Sequence, residues 1–508
     1  MTRGRTGFRS PGGLVSAYFA SYGLGSNDPP VRECSTVNNP LDPARDHTAA
    51  GPDTAPAAGP AADLDVASVV ERLVADGIDV VRVAYPDLIG TERARDVLVE
   101  QLPGVMEHGL AFCRAVYHTT PMGDVVPVPE GLGAGLPDIR VVPDLATLTP
   151  IPWEPGVAHC LGEAYEPEGE DHCPEGPREV LRRVTAALGA TGRTAVAGPE
   201  LEYFLCEPDP QSPTGWRRYG DAPGNVYVAG RKGDPEGHLL STLRHLRDFG
   251  IGVTMGNHEF SGGQFEINLN HSEALDAADR AFRFKSAVKE IARHEGRLAT
   301  FMAKPFNDEG GSGFHVHLSV CDEAGRNVFA DETGEHGLSD TARHAIAGVL
   351  AHAPALAALF NPTINSYKRF GPDTLAPWLI DWGLDNRSAM VRVPPERGAA
   401  SRIEVRLGDA TANPYLGIAG LVAAVHLGVR DKLDCPAPLE GYGYDAERSP
   451  LLPADLPAAL DALEADTDLT SVLGEEFVRA FLTYKRDEVE RFQRYVTDWE
   501  FREYAYHL

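Results

Sequence analysis

Pairs of acidic or imidazole side chains recur at every second position of segments that look like strands. GPELEYF contains Glu200 and Glu202, and KPFNDEGGSGFHVHLSV contains His315 and His317. A strand points residues i and i+2 to one face, so each segment predicts a polar face opposite an apolar one. One such pair alone is typical of a solvated surface. Several pairs in one chain favour a shared site.

More carboxylates have the same format. Glu259 and Glu266 bracket a Gly-Gly turn in EFSGGQFE, and Glu404 stands between arginines in RIEVRL. Oxygen ligands with one imidazole suit Mg²⁺ or Mn²⁺ rather than zinc. The candidate metal ligands are Glu200, Glu202, Glu259, Glu266, His315 and Glu404. Their number predicts a site for two ions.

Arginines follow in the C-terminal half of the chain. The candidates are Arg369, Arg387, Arg392 and Arg406. A guanidinium matches the geometry of carboxylate and phosphate groups, and metal ions with arginines are the usual apparatus of phosphoryl transfer. The residues therefore favour an enzyme that handles phosphate.

Bulk composition restricts the partners. The chain has 508 residues and a net charge of −28, with 74 acidic and 46 basic residues. This acidity argues against sequence-independent binding to nucleic acid or to an anionic membrane. No apolar run reaches the length of a membrane span. The seven cysteines are scattered, which favours reduced thiols in a cytoplasmic protein.

The predicted organisation is α+β, with a small N-terminal domain and a large domain. Residues 1–62 are rich in Pro, Gly and Ala and are expected to be disordered. Residues 63–153 form the first domain and residues 154–508 the second. Predicted strands of the large domain are 195–206, 264–270, 313–320, 389–393 and 402–407. Its predicted helices include 178–188, 274–294, 339–359, 414–432 and 474–496.

The chain resembles the glutamine synthetase family, prokaryotic type, from about Leu64 to its C-terminus. Besides the segments above, the resemblance rests on NPTINSYKRFGPDTLAP, DNRSAMVRVP, RIEVRLGDATANPYLGIAGLVAAVHLGV and VTDWEFREY. It implies a β-grasp N-terminal domain and a catalytic domain of antiparallel, curved sheet with helices. It also implies a homo-oligomer, typically two stacked hexameric rings, with ATP and two or more Mg²⁺ or Mn²⁺ ions in each site.

The resemblance implies roles for individual residues. Glu202, Glu259 and Glu266 resemble the ligands of one metal ion, and Glu200, His315 and Glu404 those of the second. ATP-binding residues would be His317, Ser319, Arg387 and Arg402. Acid-substrate contacts would be Gly311, Arg369 and Arg392. Arg369, Arg387 and Arg406 would act in catalysis. The implied chemistry is ATP-dependent formation of γ-glutamyl phosphate, followed by attack of an amine.

Departures from the family concern the substrates. Ammonia-using members carry a glutamate just before Ala-Pro in the flap, where this chain has Leu375. The N-terminal stretch that normally supplies an aspartate is Phe112-Cys113-Arg114-Ala115 here. Gly310 stands where the family usually has Asn, and Asp385 where it often has Arg. The two missing acids would bind ammonium, so a small cation loses its counter-charges.

Three functions are compatible with these residues. A glutamate–amine ligase would use a polyamine, ethanolamine or another alkyl or aryl amine, with Leu375 lining the amine subsite and a base such as Asp373. An ordinary glutamine synthetase would need other residues for ammonium. A non-catalytic scaffold would have no reason to retain six clustered ligand positions. The sequence favours the first.

Overall fold

The computed structural model describes residues 65–220, 226–372, 374–445 and 447–508, which contain both strands and helices. The segment predicted to be disordered, residues 1–62, lies outside the described residues, as does Asp373.

The N-terminal part contains a small mixed sheet in the order β2-β1-β6-β4-β3, with β5 beside β6. Its strands are β1 (Val80–Pro86), β2 (Glu92–Leu98), β3 (Leu110–Cys113), β4 (Asp138–Pro143), β5 (Thr149–Pro150) and β6 (Val157–Tyr165). Helices α1 (Val66–Ala75) and α2 (Leu102–His108) belong to this part of the chain. Because β6 pairs with β1, the sheet extends beyond residue 153, where we placed the boundary. The β-grasp assignment stays a prediction.

The large sheet carries the candidate ligands and has the order β14-β15-β16-β13-β7-β10-β9. Its strands are β7 (Arg193–Pro208), β8 (Trp216–Arg218), β9 (Val253–His258), β10 (Gln264–Leu269), β11 (Ser272–Glu273), β12 (Leu298–Thr300), β13 (Gly313–Asp322), β14 (Trp382–Leu384), β15 (Val391–Val393) and β16 (Ile403–Asp409). Neighbours are antiparallel except β14 and β15. The predicted antiparallel sheet with helices is confirmed.

Helices of the large domain lie along the chain before, between and after these strands. They are α3 (Pro177–Gly189), α4 (His238–Asp248), α5 (Ala274–His294), α6 (Asp340–Ala351), α7 (Ala353–Phe360), α8 (Pro414–Asp431), α9 (Leu456–Ala465), α10 (Thr467–Leu473), α11 (Glu475–Gln493) and α12 (Asp498–Tyr504). Helix α8 is buried along nearly its whole length and contacts α3, α5 and α6. The alternate residues Phe314, Val316 and Leu318 of β13 are buried, which leaves the opposite face for polar side chains.

One predicted helix is divided in the structure. Residues 339–359 form α6 and α7, which meet at His352 with a bend of 72°. Pro354 lies in the first turn of α7. Proline has no N–H for the helical ladder and its ring clashes with the preceding turn, so the prediction of one continuous helix was wrong.

No single helix within the described residues is long and apolar enough to cross a membrane. Only the bent pair of α6 and α7 passes that test of length and composition, and α7 is almost entirely buried.

Candidate active site

Strand β7 lies at the centre of the site because candidate ligands flank it on both sides. Its Glu202 is directly opposite Glu266 of β10, and its Glu200 is opposite His315 of β13. On the next strand, Glu404 of β16 is opposite His317. Directly opposed residues in a sheet have neighbouring side chains. The alternation predicted from sequence therefore becomes one continuous polar surface across four strands.

Glu259 and Glu266 are carboxylates that the fold keeps from ionising easily. Burial, and then the nearby Glu202, raise the pKa of Glu259 to about 8 and that of Glu266 to about 9. Like charges held together in a poorly solvated place disfavour ionisation. A divalent cation between them would reverse this effect. The donor set thus fits Mg²⁺ or Mn²⁺.

Glu202 is held in place by the first residues of the two neighbouring strands, β10 and β13. Its Oε2 accepts hydrogen bonds from Gln264 Nε2 and from the Gly313 N–H, both at 2.9 Å. Gln264 Nε2 also donates to the Gly311 carbonyl at 3.0 Å. The same side chain therefore orients a candidate ligand and the glycine turn.

Glu200 lies between the two histidines. Its Oε1 is 2.9 Å from His317 Nε2, and its Oε2 is 3.6 Å from His315 Nδ1. Burial alone would raise the pKa of Glu200, but the hydrogen bonds to the histidines hold it well below its usual range. Burial, then Arg406, lower the pKa of His315, which favours the neutral imidazole that a metal ligand must be.

Two groups of ligand atoms are close enough to hold an ion, each within 4.8 Å of one another. One contains Glu200, His317 and Glu404, and the other contains Glu200, Glu266 and His315. Of the predicted ligands, the structure thus brings together Glu200, Glu266, His315 and Glu404, but it groups them differently from the resemblance, and neither group contains Glu202 or Glu259. It also adds His317, which we predicted to face ATP. The assignment of each carboxylate to one ion stays a prediction.

Glu404 is enclosed by arginines. Arg392 and Arg406 each donate through Nη1 to one of its carboxylate oxygens. Burial alone would raise the pKa of Glu404, but Arg406 and other neighbours lower it to about 2. The far side of Arg392 donates to Asp385 Oδ1, at 3.1 Å from Nε and 2.6 Å from Nη2. Asp385, a departure from the family, therefore competes for the charge of this arginine.

Arg369 is a buried cation with spare hydrogen-bonding capacity. Its Nη1 is buried and has no hydrogen-bond partner among the residues that the structure describes. Burial lowers its pKa. Gly311 packs against it so closely that a Cβ there would lie 2.7 Å from Arg369 Cγ. An unsatisfied buried guanidinium is costly, and a carboxylate ligand would satisfy it.

The other predicted site residues lie around these clusters. Arg402 Nε donates to His317 Nδ1 at 3.1 Å. Ser319 follows on the same strand and is half-buried, whereas Arg387 is exposed. Arg387 is within electrostatic range of Glu259. Arg402, Ser319 and Arg387 are therefore compatible with a side of the site that is open to solvent.

Leu375 lies on the loop after Arg369 with 40% of its surface exposed. Its φ is +60°, a conformation that a leucine rarely adopts. In the other departure, Arg114 is buried and makes a two-pronged ion pair with Glu175, at 2.6 and 2.7 Å. That stretch thus places a paired arginine, rather than a free acid, in the interior.

Two residues near the site were missed by sequence reasoning. Gln264 shares the polar face of β10 with Glu266, and this alternation could have identified it. Tyr227 is within electrostatic range of Glu259 and Glu266, but it lies in an irregular loop where no periodic pattern marks it.

Comparison with known proteins adds independent information. Residues 174–504 match the family described as glutamine synthetase, catalytic domain. The chain is 34% identical over 462 residues to the glutamine synthetase of Methanocaldococcus jannaschii, covering 87% of this chain and 98% of that protein. It is also 34% identical over 441 residues to the gamma-glutamylethanolamide synthetase GlnA4 of Streptomyces coelicolor, covering 85% and 94%.

The solved structure of a GmaS/ADP complex is similar to this fold. The TM-score is 0.75 at 32% identity, covering 87% of this chain and 99% of that one. A GmaS structure without ligand gives the same TM-score and identity. The chain belongs to the glutamine synthetase family, whose members are ATP-dependent ligases that form carbon–nitrogen bonds and use divalent metal ions.

Proposed function

We propose that this enzyme is a γ-glutamylamide synthetase. It activates the γ-carboxylate of glutamate with ATP as γ-glutamyl phosphate and couples it to an organic amine. The observation that carries the proposal is Leu375, an exposed apolar side chain at the flap position of a site whose candidate metal ligands are all present. The similarity to GlnA4, named a gamma-glutamylethanolamide synthetase, supports it.

The residues take the following roles in this proposal. Glu200, Glu202, Glu259, Glu266, His315 and Glu404 hold the metal ions, which neutralise phosphate charge when bound. Arg369, with Gly311 beside it, binds the α-carboxylate of glutamate, and Arg392 assists. Arg387 and Arg406 stabilise the phosphoryl group in transfer. His317, Ser319, Arg387 and Arg402 face ATP.

Leu375 decides between amine and ammonium in this proposal. Ammonium gains from a carboxylate counter-charge, which leucine cannot supply. An alkyl amine instead gains about 0.8 kcal/mol for each CH₂ group that it buries against an apolar side chain. The amine subsite therefore selects for a carbon skeleton.

A second candidate is an ammonia-using glutamine synthetase. It is favoured by relatives of that name, which include the 34%-identical protein of M. jannaschii. In that case other residues would supply the counter-charge.

Phosphate release with glutamate, ATP and Mg²⁺ across a panel of amines tests the proposal. We expect turnover with one class of organic amine to exceed turnover with ammonia. Leu375→Glu should restore part of the ammonia activity, by about tenfold or more if the carboxylate contributes 1.5–3 kcal/mol as typical charged hydrogen bonds do. Leu240→Glu, at another exposed leucine (57%), is the matched control. Strong ammonia turnover by the wild type, unchanged by Leu375→Glu, would favour glutamine synthetase.

Assembly and location belong to the proposal too. We expect a homo-oligomer of two stacked hexameric rings in the cytoplasm, as the resemblance implies.

A further inference from the structure

The flap is defined as the described residues from Gly371 to Pro377. It continues into residues 378–380, which are hydrogen-bonded to residues 450–452. The Ile380 N–H donates to the Pro450 carbonyl at 2.8 Å, and the Leu452 N–H donates to the Trp378 carbonyl at 2.9 Å. The base of the flap is thus hydrogen-bonded to residues far away in sequence.

Tyr444, which precedes residues 450–452 in the chain, contacts the flap. Its hydroxyl donates to the Ala376 carbonyl at 3.3 Å. The ring is half-buried and lies 4.7 Å, between centroids, from the ring of Tyr442. Tyr444 is also within electrostatic range of Arg369. The Tyr444 side chain therefore lies near Arg369, which precedes the flap, and near Ala376 towards the end of the flap.

Leu375 lies immediately before Ala376 and has a φ of +60°. The Ala376 N–H donates to Thr374 Oγ1 at 3.4 Å, and Thr374 Oγ1 donates to the Gly371 carbonyl at 2.8 Å. A left-handed leucine persists only where its surroundings hold it. Two hydrogen bonds hold the Ala376 residue that follows Leu375, one from the Ala376 N–H to Thr374 Oγ1 and one from the Tyr444 hydroxyl to the Ala376 carbonyl.

We propose that Tyr444 is a specificity-determining positioning residue, whose hydroxyl fixes the flap so that Leu375 presents its side chain to the amine subsite. This inference rests on the proposed function, because it assumes that Leu375 lines that subsite. Losing the hydroxyl frees Leu375 to leave the left-handed conformation and to turn its side chain away from the amine. Selection of alkyl amines over ammonia then weakens, while the metal and ATP contacts are untouched.

Tyr444→Phe tests this role because it removes only the hydroxyl. We expect the KM for the preferred alkyl amine to rise about tenfold, which is the scale of one lost apolar contact, with an unchanged KM for ATP. The ratio of kcat/KM for the amine to that for ammonia should fall by the same factor. A general loss of structure would instead lower kcat for every substrate and would also lower the melting temperature of the protein.

Two further variants make the test specific. Thr374→Val removes the hydrogen bonds of the Thr374 hydroxyl with the Ala376 N–H and the Gly371 carbonyl, and it should lower the same ratio. Tyr504→Phe, on helix α12 near the C-terminus, should leave it unchanged. An amine-selective wild type with an unchanged ratio in Tyr444→Phe would overturn the role of Tyr444 alone. A wild type that selects ammonia would overturn the proposed function itself.

Discussion

At the scale of single residues, two adjacent glycines have different surroundings. A Cβ at Gly311 would lie 2.6 Å from the Ala303 carbonyl oxygen and 2.7 Å from Arg369 Cγ. A Cβ at Gly310 would meet only Ser261 Oγ at 3.4 Å and Gln264 Oε1 at 3.6 Å, which are ordinary contacts. We expect Gly311→Ala to displace Arg369 and to lower kcat/KM for glutamate about 100-fold. Gly310→Ala is the control, with activity within about twofold of wild type. Equal activities would contradict this packing.

The raised pKa values of Glu259 and Glu266, about 8 and 9, belong to the same scale. In the metal-free protein at pH values above about 4.5, Glu259 and Glu266 keep their protons in the folded state, whereas the unfolded state has released them. The free energy of unfolding therefore falls as the pH rises towards the folded pKa values. We expect Glu266→Gln to weaken this loss of stability between about pH 6 and about pH 8. Because Mg²⁺ needs ionised ligands, it should raise the wild-type melting temperature most at the higher pH. Thermal unfolding with and without Mg²⁺ measures both effects. If the melting temperatures of the wild type and of Glu266→Gln changed with pH in the same way, the raised pKa of Glu266 would be contradicted.

At the scale of elements, helix α8 joins the small sheet to the large domain through its N-cap. Asn413 Oδ1 accepts the Tyr415 N–H at 3.1 Å, and its Nδ2 donates to the Asp87 carbonyl at 3.0 Å. We expect Asn413→Ala to lower the free energy of unfolding by about 2 kcal/mol, the sum of a lost cap and a lost buried hydrogen bond. Asp455→Ala at the N-cap of α9, which accepts the Ala458 N–H, should cost about 1 kcal/mol. Denaturant titration compares the two. Equal losses would show that the contact with Asp87 contributes nothing.

At the scale of the whole molecule, the chain carries a net charge of −28, and its site contains both carboxylates and arginines. The proposed double ring predicts a particle of about twelve chains of 54.7 kDa each. Light scattering coupled to size-exclusion chromatography measures this mass directly, and a monomeric mass at working concentration would contradict the assembly. Repeating the measurement in high salt shows how far charge repulsion limits association, because exposed charges are screened there.

Much of the site was determined by the sequence alone, because strand alternation is local. Glu200, Glu202, Glu266, His315 and Glu404 could be placed on polar faces from their spacing, and helix α5 was predicted with its observed bounds. Tertiary structure alone decided what is not local. It set the register that places Glu200 opposite His315 and the bonding of His317 to Glu200. It also decided that Tyr444, 69 positions beyond Leu375 in sequence, touches the residue after it. Such contacts depend on how distant segments pack, and no periodicity within either segment encodes them.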